Sequence, residues 1–142
     1  IDDANFEARP SNREVILEAP ETLRPVAMNP DLIRRAVENI VRNALRYTPE
    51  GTRVEVSVSP QEREGRFGVS IRVRDFGPGV PESELSRIFQ PFYRTEAARS
   101  RDTGGSGLGL AIAARAAFVH GGTVKAENVP EGGLAVEMWI PS

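Results

Sequence analysis

The stretch NPDLIRRAVENIVRNALRYTPEG, Asn29 to Gly51, constrains the fold more than any other part of this chain. Apolar residues recur at 32, 33, 36, 37, 40, 41, 44 and 45, the spacing of one helical face. Asn29 reads as an N-cap with Pro30 at the first helical position, and Pro49 with Gly51 stops the run. A helix with one apolar stripe must lay it on something apolar. The chain supplies a surface directly afterwards: TRVEVSVSP and RFGVSIRVRD alternate with a period of two around the polar QEREG, which predicts an antiparallel hairpin.

The rest of the chain adds to the same plan. REVILEA (Arg13 to Ala19) and RPVAM (Arg24 to Met28) read as strands before the helix. After the turn FGPGVP come a short helix in ESELSRIF, a helix from Gly107 to His120, and strands over Thr123 to Glu127 and Leu134 to Ile140. Gln90 to Ser106 has few apolar anchors, and a mobile lid is expected there. Hairpins with few alternating βαβ units predict a two-layer α/β (α+β) sandwich: a mixed, largely antiparallel sheet with about three helices on one face.

The 142 residues, 39% hydrophobic and 27% charged, suit one domain with one core. A net charge of −2 argues against nucleic acid as a partner. With no cysteine and one histidine, thiol and imidazole metal sites are disfavoured. No apolar run approaches a bilayer span. The chain starts at Ile1, and the polar, turn-rich IDDANFEARPS leads to the expectation of a piece of something longer.

Four features carry chemistry. Asn39 and Asn43 stand one helical turn apart on one line, continued by Arg46 and Tyr47, along the margin of the apolar stripe. Interior Asn is a poor helix former, so the pair is either two satisfied boundary amides or a rim of carbonyl oxygens suited to a hard cation such as Mg²⁺. Asp75 shares strand parity with Phe67, Val69, Ile71 and Val73, so its carboxylate should face the core. Either it caps the turn that follows, or it is an acceptor held at the bottom of a pocket for an amine donor.

The remaining features lie in the glycine-rich run and at the sole histidine. Gly104, Gly105, Gly107 and Gly109 precede an Ala-rich helix, but no Lys completes a P-loop and GGxGxG is not the dinucleotide fingerprint. A flexible hinge and an anion site at a helix start both remain open. The only histidine, His120, closes that helix just before a strand and reads as structural.

In this order, ENIVRNALRYTP, DFGPGV, IFQPFYR and GGSGLGLAI resemble the N, G1, F and G2 boxes of the ATP-binding catalytic domain of bacterial sensor histidine kinases, the Bergerat fold shared with gyrase, Hsp90 and MutL ATPases. The likeness runs from about Arg13 to the end. PFYRTEAARSRDTGGSGLGLAI, VKAEN and GGL are similar to the Cpx-type envelope-stress branch.

The resemblance implies ATP and Mg²⁺ as ligands, with Asn43 on the metal and Asn39 assisting, Arg46 reaching phosphate oxygens, and Tyr47 beside the adenine. It implies Asp75 as acceptor for the adenine amine, and Gly77, Gly79 and Val80 close to the base. Tyr93 and Arg94 would stand at the base of the lid. Gly105, Ser106, Gly107, Leu108, Gly109 and Leu110 would hold the phosphates. No role follows for Arg99 or Arg101.

On this reading residues 1–11 are the remnant of a linker from a helical dimerisation and phosphoacceptor domain, and 12–142 form the catalytic domain. The implied reaction is protein-histidine kinase chemistry, transfer of the γ-phosphoryl group of ATP to a histidine that this chain lacks. A response regulator would be the next partner. The chain itself would be monomeric and cytoplasmic, and its parent a homodimer anchored in the inner membrane. Two alternatives share the nucleotide box. One is a nucleotide-responsive module without transfer. The other is an ATPase of the gyrase branch, which carries Glu where this chain has Asn39; Glu38 lies about 100° around the helix.

Overall fold

The computed structural model describes residues 29–48, 51–93 and 108–142, and the backbone of 14–18. The elements are β1 (Glu14–Glu18), α1 (Pro30–Tyr47), β2 (Arg53–Pro60), β3 (Gly68–Arg74), a 3-10 turn (Glu82–Glu84), α2 (Gly109–Val119), β4 (Thr123–Asn128) and β5 (Leu134–Pro141). The expected strand at 24–28, the leader, and the lid beyond Tyr93 lie outside the described residues.

The long helix forms where its pattern predicts. Asn29 Oδ1 accepts from the N–H groups of Asp31 (3.1 Å) and Leu32 (3.2 Å), capping two of the orphan donors at the helix start. The buried stripe is Ile33, Ala36, Ile40, Val41, Ala44 and Leu45. Leu32 is left at its exposed margin. Thr48 closes the helix in an extended conformation (φ −81°, ψ 125°), as a residue before proline prefers.

The sheet has the order β1-β2-β3-β5-β4, with β1 parallel to β2 and every other neighbour antiparallel. Its register aligns apolar rows across the strands: Val56, Val73, Val136 and Ala126 form one, and Val58, Ile71, Met138 and Val124 the next. Both rows pack into one core with the buried faces of α1 and α2. The helices therefore cover one face, and the two-layer sandwich expected from the pattern is the fold. Among the described residues no helix is long and apolar enough to cross a membrane.

One expected element differs. ESELSRIF holds a three-residue 3-10 turn followed by further turns, not a short α-helix. Its backbone bonds, Glu84 to Pro81, Leu85 to Glu82, Arg87 to Glu84 and Gln90 to Arg87, all close over three residues. Ile88 is the one fully buried apolar residue from 82 to 89, too little apolar surface to stabilise a regular helix.

Strand parity sends polar residues to the other face, where Glu137 is the hub. It accepts from Arg63 (2.7 Å) and from Ser70 Oγ (2.8 Å), with Lys125 Nζ at 3.5 Å. Arg63 also lies 5.2 Å over the Trp139 ring. Burial pulls the Glu137 carboxyl up, but the bonds from Ser70 and Arg63 and the charges of Lys125 and Arg63 together outweigh it and hold it below the usual range. A lowered carboxyl stabilises the fold above its unfolded titration range and ceases to do so as the pH falls through the folded one. Glu137→Gln is thus expected to cost about 1–2 kcal/mol at pH 7. Urea unfolding should show the difference narrowing in acid, below the ordinary glutamate range.

At the joint between the helices, Asn29 N–H donates to His120 Nε2 (2.9 Å), and His120 Nδ1 lies 2.8 Å from the Ala116 carbonyl. Since the first bond needs an acceptor, Nδ1 carries the proton and donates to Ala116. His120 thereby ties the start of α1 to the end of α2, the structural part expected of it.

Candidate functional site

Asp75 follows β3 directly and keeps its inward parity; it is 3% exposed. Its N–H donates to the Leu134 carbonyl (2.9 Å). Its Oδ1 accepts from Gly77 N–H (3.0 Å) and from Leu134 N–H (3.0 Å). The turn-capping role and the inward acceptor are therefore not alternatives. Both bonds land on Oδ1, and among the described residues Oδ2 is left for a further donor. Burial pushes the carboxyl above its ordinary range, against the opposing pull of the Gly77 and Leu134 bonds and the Arg74 charge. Beside it the wholly buried Thr48 receives a long bond from Phe76 N–H, 3.4 Å at its hydroxyl.

The loop after Asp75 lies close against α1. A Cβ at Gly77 would stand 2.3 Å from the Tyr47 carbonyl oxygen, so only glycine permits this approach. Gly79 takes φ +79°. Val80 is packed against the core and fixed by Asn128, whose Oδ1 accepts from Val80 N–H (2.9 Å) while Nδ2 donates to the Val80 carbonyl (2.6 Å).

On α1, Asn39 and Asn43 are both half-buried. Asn39 Nδ2 donates to the Arg35 carbonyl (2.9 Å), one turn back, so its Oδ1 remains as an acceptor. That oxygen faces the start of α2, 3.4 Å from where a Cβ on Gly109 would lie. Among the described residues the Asn43 amide makes no hydrogen bond. Tyr47 is half-buried and Arg46 exposed. Glu38, one residue off the asparagine line, is itself half-buried.

Among the described residues no side chain caps the start of α2, where Leu108 stands at the N-cap position, and none bonds its first N–H groups. Leu108 is half-buried, and Leu110 anchors this end in the core. Tyr93 is half-buried, its hydroxyl bonded to the Glu84 carboxylate. Arg94, Gly105, Ser106 and Gly107 lie outside the described residues.

The structure thus brings Tyr47, Asp75, Gly77, Gly79 and Val80 together at one end of α1, and Asn39 with Gly109 further along it. Thr48, Asn128 and Leu134 were not foreseen. Asn is depleted in strands, and an Asn ending the strand-like VKAEN was the one local signal for the second of them.

An asparagine-lined helix, an inward aspartate at a strand end and a glycine loop pressed on that helix form a distinctive set. The sequence profile of the family described as "Histidine kinase-, DNA gyrase B-, and HSP90-like ATPase" matches residues 28–142. The chain belongs to this family. Among relatives of this ATPase family, the sensor histidine kinase CpxA of Escherichia coli K12 is 44% identical over 141 residues, 99% of this chain and 30% of CpxA. The chain therefore spans under a third of the length of that relative. The ATP-binding domain of PrrB from Mycobacterium tuberculosis superposes with a TM-score of 0.71 at 30% identity, covering 99% of this chain and 89% of that one. Full-length ShkA, solved in complex with AMPPNP, gives a TM-score of 0.78 at 25% identity, covering 99% of this chain and 28% of ShkA. The histidine kinase likeness of the four boxes and the sandwich fold are both borne out.

Proposed function

We propose that this chain is the ATP-binding catalytic domain of a two-component sensor histidine kinase, and that it binds Mg-ATP and presents the γ-phosphoryl group to a histidine on a separate helical domain. The observation that carries this is Asp75: a buried carboxylate with one oxygen occupied twice over and the other left to accept the adenine amine. Gly77 and Gly79 allow the backbone close to the base, and Tyr47 packs beside it. Among the described residues no three His, Cys, Asp or Glu side chains stand together to hold a metal. A cation here would therefore rely on amide oxygens, from Asn43 with Asn39 assisting, and on the phosphates of its ligand.

That donor set fits Mg²⁺, which favours oxygen ligands and usually shares them with substrate phosphates. When bound, Mg²⁺ supplies charge neutralisation along the phosphates. Arg46 and the uncapped start of α2, from Leu108 through Gly109 to Leu110, would bind and orient the phosphate chain. Arg94, Gly105, Ser106 and Gly107 complete that set by their place in the motifs. His120, with both ring nitrogens engaged, is not the acceptor. The phosphorylated partner domain, a response regulator beyond it, a homodimeric parent and inner-membrane anchoring are proposed from the sensor kinase relatives.

Calorimetric titration with a non-hydrolysable ATP analogue, with and without Mg²⁺, tests the site. Labelled ATP with a histidine-bearing helical domain added in trans tests the transfer. Mg²⁺-dependent binding and label on the added domain alone are expected. A folded chain without affinity for the analogue would overturn the nucleotide assignment. Binding without transfer would make the domain a nucleotide-responsive module.

A further inference from the structure

We infer that Asn128 is a positioning residue of the nucleotide site, holding the Asp75–Val80 loop in place from the far edge of the sheet. The inference rests on the nucleotide reading above and extends it to a hairpin that carries none of the four motifs. Asn128 ends β4, and its amide gives Val80 both bonds that a neighbouring strand would give: an acceptor for the N–H at 2.9 Å and a donor for the carbonyl at 2.6 Å. Val80 belongs to no strand, so this side chain takes the place of a ladder partner for it.

The same hairpin holds the other end of the loop. Asn128 is paired in register with Leu134. Leu134 exchanges two bonds with Asp75, taking its N–H on the carbonyl (2.9 Å) and giving its own N–H to Oδ1 (3.0 Å). The span between these fixed ends contains Gly77 and Gly79. At Gly79, φ is +79° and a Cβ would lie 2.7 Å from Asn128 Oδ1. The loop is thus seated directly on the amide. Asp75 sets where the base's amine is received; Asn128 sets where the backbone that flanks the base lies. Without the clamp, residues 77–80 regain conformational freedom that must be lost again when a base binds.

The test compares Asn128→Ala, Asp75→Asn and wild type for binding of adenosine, ADP and a non-hydrolysable ATP analogue, with thermal melting of each free protein. Asn128→Ala is expected to weaken all three ligands by about the same factor, roughly tenfold, because the loop serves the base end. Amide exchange at Val80 should accelerate in parallel. Wild-type affinity in a folded Asn128→Ala, with binding lost in Asp75→Asn, overturns this inference and leaves the nucleotide reading intact. A loss that grows with phosphate number overturns it as well. Wild-type affinity in Asp75→Asn overturns the nucleotide reading itself. Should Asn128→Ala not fold, Asn128→Asp keeps the acceptor for Val80 N–H and removes the donor to its carbonyl; a smaller ligand-independent weakening is expected there, and wild-type affinity in it overturns the inference.

Discussion

Asp75→Asn should fold, melt no lower than wild type at pH 7, and lose adenine nucleotide affinity by at least about a hundredfold. The substitution keeps the shape of the side chain and one carbonyl oxygen, which can go on accepting from Gly77 and Leu134 N–H as Oδ1 does now. What changes is the second position. An amide –NH₂ replaces Oδ2, so in the proposed site a donor would meet the donor of the base, and a buried pair of donors would be left unmatched.

The stability side follows from the raised carboxyl. Because burial pushes Asp75 up, its charged form destabilises the fold. A raised pKa contributes stability below the unfolded range and loses it as the pH rises through the folded one. Once ionised, wild type bears this cost and the asparagine variant does not. The melting advantage of the variant should therefore grow as the pH rises through the folded titration range and close as the pH falls to the ordinary aspartate range and below. Thermal melts across that interval, paired with titration by ADP, measure both parts. A variant that binds ADP as wild type does would remove Asp75 from the adenine site.

The aspartate also shows how far a sequence reading reaches. Its inward direction was legible because strand parity is a local rule: five alternate positions from Phe67 to Asp75 share a face, and four of them are apolar. The helix was legible for the same reason, as a period sustained over about four turns from Leu32 to Leu45. The turns after Pro81 were less so, since a run of eight residues with one buried side chain suits a helix and a chain of 3-10 turns about equally by pattern. Asn128 and Leu134 escaped notice because their partners, Val80 and Asp75, lie 48 and 59 residues away. No periodicity within either segment records a bond formed only when β5 is laid between β3 and β4.

The paired glycines of the β4–β5 turn offer the other large effect, and they carry their own control. Gly132 and Gly133 both have positive φ, +119° and +94°. A Cβ on Gly132 would meet nothing within 4 Å, whereas one on Gly133 would stand 2.0 Å from the Asp75 carbonyl oxygen and 2.8 Å from its carbon. Gly132→Ala therefore bears backbone strain alone, about 1–3 kcal/mol. Gly133→Ala adds a collision with backbone on β3's end that cannot be relieved by a side-chain rotation. It must push β5 away from Asp75 or shift the Asp75–Gly77 turn, and either movement breaks the two bonds that Leu134 exchanges with Asp75. The expected cost is about 4 kcal/mol or more, a large share of the stability of a domain this size. Denaturant unfolding of the two variants isolates the contact from the strain. Any Gly133→Ala protein that remains folded should also bind ADP more weakly than Gly132→Ala, since the displaced carbonyl belongs to Asp75, the residue proposed to receive the adenine amine. Equal stability in the two variants would mean that β5 does not seat against Asp75 as described.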